Sequence, residues 1–82
     1  MPTMKVRRII KIEVDSPDLG ERIREARIKD GRSVTKLSKL AGFSRHYWYQ
    51  LEAEAVIGGI AEKTLRDVEA VLGVDFGVRF PR

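Results

Sequence analysis

Two segments of the chain alternate apolar and polar residues with a period of two, one near each end. Residues 4–14 are rich in β-branched side chains, and their apolar positions share one face that Arg8 interrupts. Residues 74–80 repeat the alternation with valine and phenylalanine. This spacing is typical of β-strands with one buried face. We therefore predict two terminal strands that pair as a short antiparallel ribbon.

Between the two predicted strands, apolar residues recur every three or four positions, as on the buried face of an α-helix. Ser16 is a candidate N-cap and Pro17 suits a first helical position, so together they predict a helix over about 17–30. A last helix is predicted over about 61–72. Each of these two helices is followed by a glycine, the residue that most often ends a helix.

Two shorter helices are predicted in the middle of the chain. The first follows Ser33 and is about two turns long, and the second follows Ser44 and runs to about Ala53. Only Gly42 and one further residue separate the end of the first helix from the cap of the second. Two short helices joined by a tight glycine turn form a helix-turn-helix unit. The expected apolar stripe of the first short helix is Leu37, Leu40 and Ala41.

The composition limits both the size of the fold and its chemistry. The 82 residues suffice for a single domain, residues 1–82, with a helical core over 15–74 and strands at 4–14 and 74–80. There is no cysteine, and His46 is the only histidine, so no cysteine or second histidine can join it in a zinc site or in a nucleophile–base pair. We predict no catalytic residues, metal or cofactor. No apolar run could span a membrane and no signal peptide is recognisable, so we expect a cytoplasmic protein without a membrane partner.

Charge is segregated along the chain. Residues 31–50 carry four cations and no acidic residue, whereas residues 51–75 carry six acidic residues and two cations. The formal net charge is +4. A basic segment of this kind predicts a surface for a polyanion, although it is also compatible with an ordinary solvated face.

A longer ordered pattern runs through the two short helices, and the ending "TL…LGV" follows it at residues 64–74. The most specific part of the pattern consists of Ser33, Leu37, Leu40, Ala41, Gly42, Ser44, Arg45, Tyr47, Trp48, Leu51 and Glu52. With these residues, the segment 19–74 resembles the Cro/lambda-repressor-like (Xre-type) helix-turn-helix DNA-binding family. The resemblance implies a mainly α fold, a repressor-like bundle of four to five helices, with the third helix in the DNA major groove.

The segment "FSRHYWYQLE", residues 43–52, supplies the predicted third helix. Helical spacing puts Phe43, Trp48 and Leu51 on the seam against the other helices. The opposite face carries hydrogen-bonding side chains near the N-terminal end, which helix-turn-helix docking places against base edges. An arginine side chain can form paired hydrogen bonds with O6 and N7 of guanine, and a glutamine side chain with N6 and N7 of adenine. The candidate base-contacting residues are therefore Arg45, His46, Tyr49 and Gln50.

Contacts to DNA phosphates are expected from the N-terminal ends of the two short helices and from nearby cations. Tyr47 is either part of the buried seam or a further phosphate contact. The resemblance also implies a partly buried ion pair between Arg27 and Glu52 that links the first and third helices. The candidate phosphate-contacting residues are Arg32, Ser33, Lys36, Lys39, Ser44 and Tyr47.

These observations favour a sequence-specific binder of double-stranded DNA, a transcriptional regulator. The alternative is a protein-interaction module with a protein partner, such as an antitoxin or adaptor, in which DNA binding is weak or secondary. We expect a homodimer through the terminal strands, and the alternative is a monomer whose ribbon packs on its own first and last helices. The shared apolar layer of the expected dimer would consist of Ile10, Ile12, Phe76, Val78 and Phe80.

Overall fold

A computed structural model describes residues 3–7, 13–56 and 59–79 of the chain. In these residues the protein is mainly helical, with four helices and a small three-stranded sheet. None of the helices in the described ranges is long and apolar enough to cross a membrane. The elements in chain order are β1 (Thr3–Arg7), β2 (Glu13–Pro17), α1 (Leu19–Asp30), α2 (Val34–Ala41), α3 (Arg45–Glu52), β3 (Ile60–Ala61) and α4 (Glu62–Leu72).

The sheet has the strand order β2-β1-β3. β1 pairs antiparallel with β2, where Val6 lies opposite Val14, and parallel with β3, where Val6 lies opposite Ile60. Val6 and Ile60 are fully buried, so the centre of the sheet belongs to the core. The strand predicted over 4–14 is therefore two strands, and the positions between them, including Ile10 and Ile12, lie outside the described residues.

The predicted antiparallel ribbon between the two ends of the chain is wrong. Residues 74–79 form no strand. The expected alternation of buried and exposed side chains is present over residues 75–79, whereas Val74 is 38% exposed. Phe76 and Val78 are 6% and 4% exposed, buried within their own chain. Side chains, rather than a strand, satisfy this backbone: Arg22 donates to the Phe76 carbonyl (2.6 Å) and Arg66 to the Val78 carbonyl (2.9 Å).

The buried carboxylate of Glu69 completes the attachment of this C-terminal segment. Its Oε2 accepts a hydrogen bond from the Phe76 backbone N–H at 2.8 Å, and its Oε1 accepts one from Arg66 at 2.8 Å. Arg22 also lies over the Phe76 ring, with its guanidinium carbon 5.5 Å from the ring centroid. The segment is thus held by α1 and α4 of its own chain.

The start of α1 also differs from the prediction. Ser16 and Pro17 belong to β2, where they pair with Met4 and Thr3, and the helix begins at Leu19. Strand pairing with β1 therefore prevails over the local capping signal of a serine before a proline. Asp18 becomes the N-cap residue, in a left-handed conformation and without a side-chain cap hydrogen bond.

The other helix ends follow the sequence closely. The Ser33 hydroxyl accepts from the Lys36 N–H and the Ser44 hydroxyl from the Tyr47 N–H, each at 3.1 Å, so both predicted N-caps are confirmed. The glycines at positions 31, 42 and 73 end α1, α2 and α4 with left-handed backbones. Such a backbone is costly for residues that carry a Cβ, which is why glycine is favoured there.

The core is formed by one face of each helix together with the sheet. On α2, the buried positions are Val34, Leu37 and Ser38, and Leu40 is 58% exposed. Leu40 is therefore not part of the buried stripe. With about 100° of rotation per residue, its side chain points about 110° away from the centre of the face that Val34, Leu37 and Ser38 form. The fully buried apolar side chains are Val6, Leu19, Ile23, Leu37, Trp48, Leu51, Ile60, Leu65 and Val68.

Candidate nucleic-acid interface

The turn between α2 and α3 fixes how the two short helices meet. The N–H groups of Gly42 and Phe43 both bond to the Ser38 carbonyl, at 2.9 Å and 3.0 Å. The Phe43 ring then packs edge-to-face on Tyr47, with centroids 5.1 Å apart, and lies 5.8 Å from the Trp48 ring. Through these ring contacts the first turn of α3 packs against the core.

The burial of two α3 side chains determines which face of the helix points outward. Trp48 and Leu51 are fully buried, as expected for the seam. On the other side of the helix, Arg45, His46 and Tyr49 are exposed. Gln50 lies beside them and is partly exposed. The four residues predicted to contact bases therefore share one accessible strip of α3 that begins at its N-terminal end.

The outer face of α2 carries exposed cations as well. Lys36 and Lys39 are exposed, and Ser33 and Ser44 are exposed at the N-termini of α2 and α3. Neither helix has an acidic residue in its first turn. The first backbone N–H groups of a helix have no intrahelical acceptor and carry a partial positive charge. Both helix starts therefore favour an anion.

Arg32, a predicted phosphate contact, has a different place in the structure. Its guanidinium donates to both carboxylate oxygens of Asp30, at 2.7 Å and 2.9 Å, and to the Val71 carbonyl at 2.7 Å. It joins the end of α1 to the last turn of α4. The other residue whose role was open, Tyr47, is half-buried against Phe43 and belongs mainly to the packed seam.

A carboxylate behind α3 links the helix to α1. Glu52 Oε2 and Oε1 accept from Arg27 Nε and Nη2 at 2.6 Å and 3.0 Å, so the predicted ion pair is present. The bond to Glu52 raises the pKa of Arg27 above its ordinary value. Sequence reasoning did not identify the third bond, from the Trp48 indole N–H to Glu52 Oε2 at 2.7 Å. The spacing of four residues between Trp48 and Glu52 was a usable signal for it.

A second contact between α1 and α3 was also missed. The Gly20 N–H donates to Glu54 Oε1 at 3.2 Å, just beyond the end of α3. No local pattern marks this contact, because the two residues are far apart in the chain. Among the described residues, no group of three potential ligand side chains could hold a metal ion.

The Asp30–Arg32 contact leads to a prediction for acid stability. The hydrogen bond from Arg32 holds the pKa of Asp30 at about 2, below its ordinary value of 3.8. A carboxyl whose pKa is lower in the folded state stabilises the protein above its unfolded pKa, and this contribution disappears as the pH falls through the folded pKa. Asp30→Asn should therefore be less stable than the unmodified protein above about pH 4. The difference should shrink between about pH 4 and about pH 2.

Urea unfolding at a series of pH values would measure this difference. Glu25→Gln, at an exposed position on the same helix, is the control for the loss of one negative charge. A difference that stays constant from neutral pH to about pH 2 would mean that the depressed pKa of Asp30 does not contribute to stability.

No model of a known protein family matches this chain, and comparisons with curated proteins and with solved structures gave no significant match. The geometry of α2 and α3 and the sequence pattern therefore carry the functional argument.

Proposed function

We propose that this protein binds double-stranded DNA with sequence specificity and regulates transcription, with α3 lying in the major groove. The observation that carries the proposal is the accessible strip of α3, together with the exposed cations of α2 and the absence of an acidic side chain from the first turn of either helix. A major groove admits an α-helix, and the N-terminal residues of a recognition helix contact the base edges. The resemblance of residues 19–74 to Cro/lambda-repressor-like proteins supports the same docking.

The proposal divides the interface into two kinds of contact. Arg45, His46, Tyr49 and Gln50 would meet the base edges, and arginine is the residue most often paired with guanine. Lys36, Lys39 and the N-terminal ends of α2 and α3 would meet phosphates, which set the position of the protein but carry no sequence information. Arg32 is left out of this interface, because Asp30 and the Val71 carbonyl already occupy its guanidinium.

We further propose that the protein binds DNA as a homodimer. One short recognition helix contacts few bases, and a two-fold dimer reads two half-sites about 34 Å apart. The antiparallel pair of β1 and β2, here called the N-terminal hairpin, would form the interface, because Phe76 and Val78 are buried within their own chain. In the described part of the sheet, β2 pairs on one side only, with β1. Sedimentation at micromolar concentration together with footprinting on a selected site should show a dimer and two protected half-sites, and a monomer that protects one half-site would contradict this proposal.

A salt titration of DNA binding tests the function directly. The logarithm of the affinity for random DNA should fall linearly with the logarithm of the salt concentration, because each neutralised phosphate releases a counterion. Selection from a random duplex pool should then enrich a defined site. The absence of binding even at low salt would instead favour the protein-interaction module.

Two substitutions should separate base contacts from phosphate contacts. Arg45→Ala should weaken binding to the selected site by about 1–3 kcal/mol and relax the preference at one base pair. Lys36→Ala should weaken binding to selected and random DNA alike and reduce the salt slope by about 1. Lys29→Ala is the matched control, since it removes an exposed lysine from α1 and should leave the salt slope unchanged. Equal losses on selected and random DNA for Arg45→Ala would rule out a reading role for Arg45.

A further inference from the structure

Two residues other than glycine have a left-handed backbone among the described residues, and both lie at one junction. They are Asp18, with φ 58°, and Glu54, with φ 57°. Asp18 links β2 to α1, and Glu54 follows α3 by two residues. A left-handed backbone is unfavourable for residues that carry a Cβ, and such strain persists only where the surrounding structure enforces it.

Glu54 stands at a position where helices usually place a glycine. Ala53 caps α3, the Ala55 N–H bonds back to the Gln50 carbonyl at 2.9 Å, and Glu54 is the left-handed residue between them. Glycine adopts this conformation without a steric penalty. A glutamate at this position therefore calls for an explanation, and the hydrogen bond between its carboxylate and the Gly20 N–H provides one.

The carboxylate of Glu54 acts as the cap that α1 lacks. Asp18 makes no side-chain cap hydrogen bond, whereas Glu54 Oε1 accepts from the Gly20 N–H in the first turn of α1. The positive end of the helix dipole favours a carboxylate at this place. The cap thus comes from the chain segment that ends α3, 34 positions further along the sequence.

Gly20 brings the two helices into close backbone contact. It is buried, and a Cβ at this position would collide with the carbonyl oxygen of Glu52. The same Cβ would lie 2.9 Å from the Leu51 carbonyl oxygen and 2.7 Å from Glu54 Cγ. The last turn of α3 therefore rests directly on the backbone of α1, with no side chain between them.

We propose that Gly20 and Glu54 are positioning residues that set the angle at which α3 is presented to DNA. This inference rests on the proposed function. The Gly20–Glu54 contact lies where β2, α1 and α3 meet. Asp18 is the single residue between β2 and α1, and Glu54 follows the end of α3 by two residues. A shift of the C-terminal end of α3 rotates its exposed strip relative to the cations of α2. Base contacts depend on that angle far more than phosphate contacts, because they require paired hydrogen bonds to individual base edges.

The test compares three variants of the full chain. Glu54→Gly removes the carboxylate but places the preferred residue in the left-handed position, so the backbone strain is relieved. Glu54→Gln keeps the length and one acceptor oxygen. Glu25→Gln, at an exposed position of α1, controls for the loss of one negative charge. The affinity of each for selected and for random duplex DNA gives a specificity ratio, measured where thermal unfolding shows every variant to be folded.

Glu54→Gly should lower the specificity ratio by about five- to tenfold, the equivalent of weakening one base contact. Its affinity for random DNA should equal that of Glu25→Gln. Glu54→Gln should restore most of the ratio. A merely structural role would not produce this pattern, since folded variants would then keep the ratio of the unmodified protein. An unchanged ratio for folded Glu54→Gly overturns the proposal.

Nuclear magnetic resonance separates failure of this inference from failure of the proposed function. Without DNA, Glu54→Gly should speed the hydrogen exchange of the Gly20 amide and shift the amide resonances of Tyr49 and Gln50 in α3. Unchanged exchange and unchanged α3 resonances would overturn the inference even if DNA binding is specific. If the unmodified protein selects no sequence, the proposed function fails, and these two readouts alone decide whether the contact orients α3.

Discussion

Replacing Glu52 by alanine should lower the free energy of unfolding by about 3–5 kcal/mol, the range found when one partner of a buried ion pair is removed. The Glu52 side chain is 7% exposed and that of Arg27 is 21% exposed. The carboxylate accepts two hydrogen bonds from Arg27 and one from the indole of Trp48. Its loss leaves the Arg27 guanidinium and the buried Trp48 indole N–H without this acceptor. Both groups lost hydrogen bonds to water on folding, and the carboxylate that replaced those bonds is then gone.

Urea unfolding followed by fluorescence would measure this loss, because Trp48 is the only tryptophan and is fully buried. Asp67→Ala is the matched control. It breaks the Lys63–Asp67 pair, whose side chains are 81% and 36% exposed, and should cost no more than about 1 kcal/mol. Similar losses for the two variants would show that the Glu52 cluster contributes no more than a surface pair.

The Glu52 cluster matters for the proposed interface because α3 cannot hold its shape alone. The helix has eight residues, whereas isolated helices shorter than about 12–15 residues are marginal in water. The Phe43 ring packs on its N-terminal turn, Arg27 bonds to Glu52 in its C-terminal turn, and Gly20 bonds to Glu54 just beyond it. These contacts with the rest of the protein therefore hold both ends of the accessible strip in place.

Local signals account for the parts of the fold that were predicted correctly. The capping bonds of Ser33 and Ser44 reach only three residues along the chain, and the glycine that ends α2 acts within the same short range. Such signals can be read from a short window of sequence. The bounds of the two short helices follow from them. The exposure of Arg45, His46 and Tyr49 follows as well, because burial of the helix seam leaves only one face for the remaining side chains.

The errors concern contacts between distant parts of the chain. The alternation in residues 74–80 correctly indicated buried Phe76 and Val78, but a period of two does not reveal what bonds to the backbone. Guanidinium groups from α1 and α4 take the place of a neighbouring strand. The N-terminal hairpin was read as one strand, because no strong turn signal interrupts its β-branched residues.

The same limit applies to the candidate site. The charge pattern suggested Arg32 as a phosphate contact, and only the folded chain shows that the Val71 carbonyl lies within its reach. The charge pattern identified Glu54 only as one of the acidic residues within 51–75, and its bond to Gly20 spans 34 positions. The sequence shows which residue types are available for these contacts, but it does not show which of the distant residues come within hydrogen-bonding distance in the folded chain.

Phe76→Ala should destabilise the protein by about 3–5 kcal/mol, the usual cost of removing a buried phenylalanine ring. The ring is almost completely buried, and Arg22 packs over it. Its loss leaves a cavity between the C-terminal segment and the helices. It also weakens the packing that positions the Phe76 backbone, whose N–H bonds to Glu69 and whose carbonyl accepts from Arg22. The matched control is Val74→Ala, two positions earlier, where the side chain is 38% exposed and the expected change is within about 0.5 kcal/mol.

This substitution also decides where the C-terminal segment packs. If Phe76 fills the core of its own chain, the difference in unfolding free energy between Phe76→Ala and the unmodified protein should not change over an about hundredfold range of protein concentration. If the segment were exchanged between two chains, the difference would grow with concentration, because the ring would contribute only in the dimer. Equal stabilities of Phe76→Ala and Val74→Ala would contradict the packing of this segment on α1 and α4, and with it the restriction of the proposed dimer interface to the N-terminal hairpin.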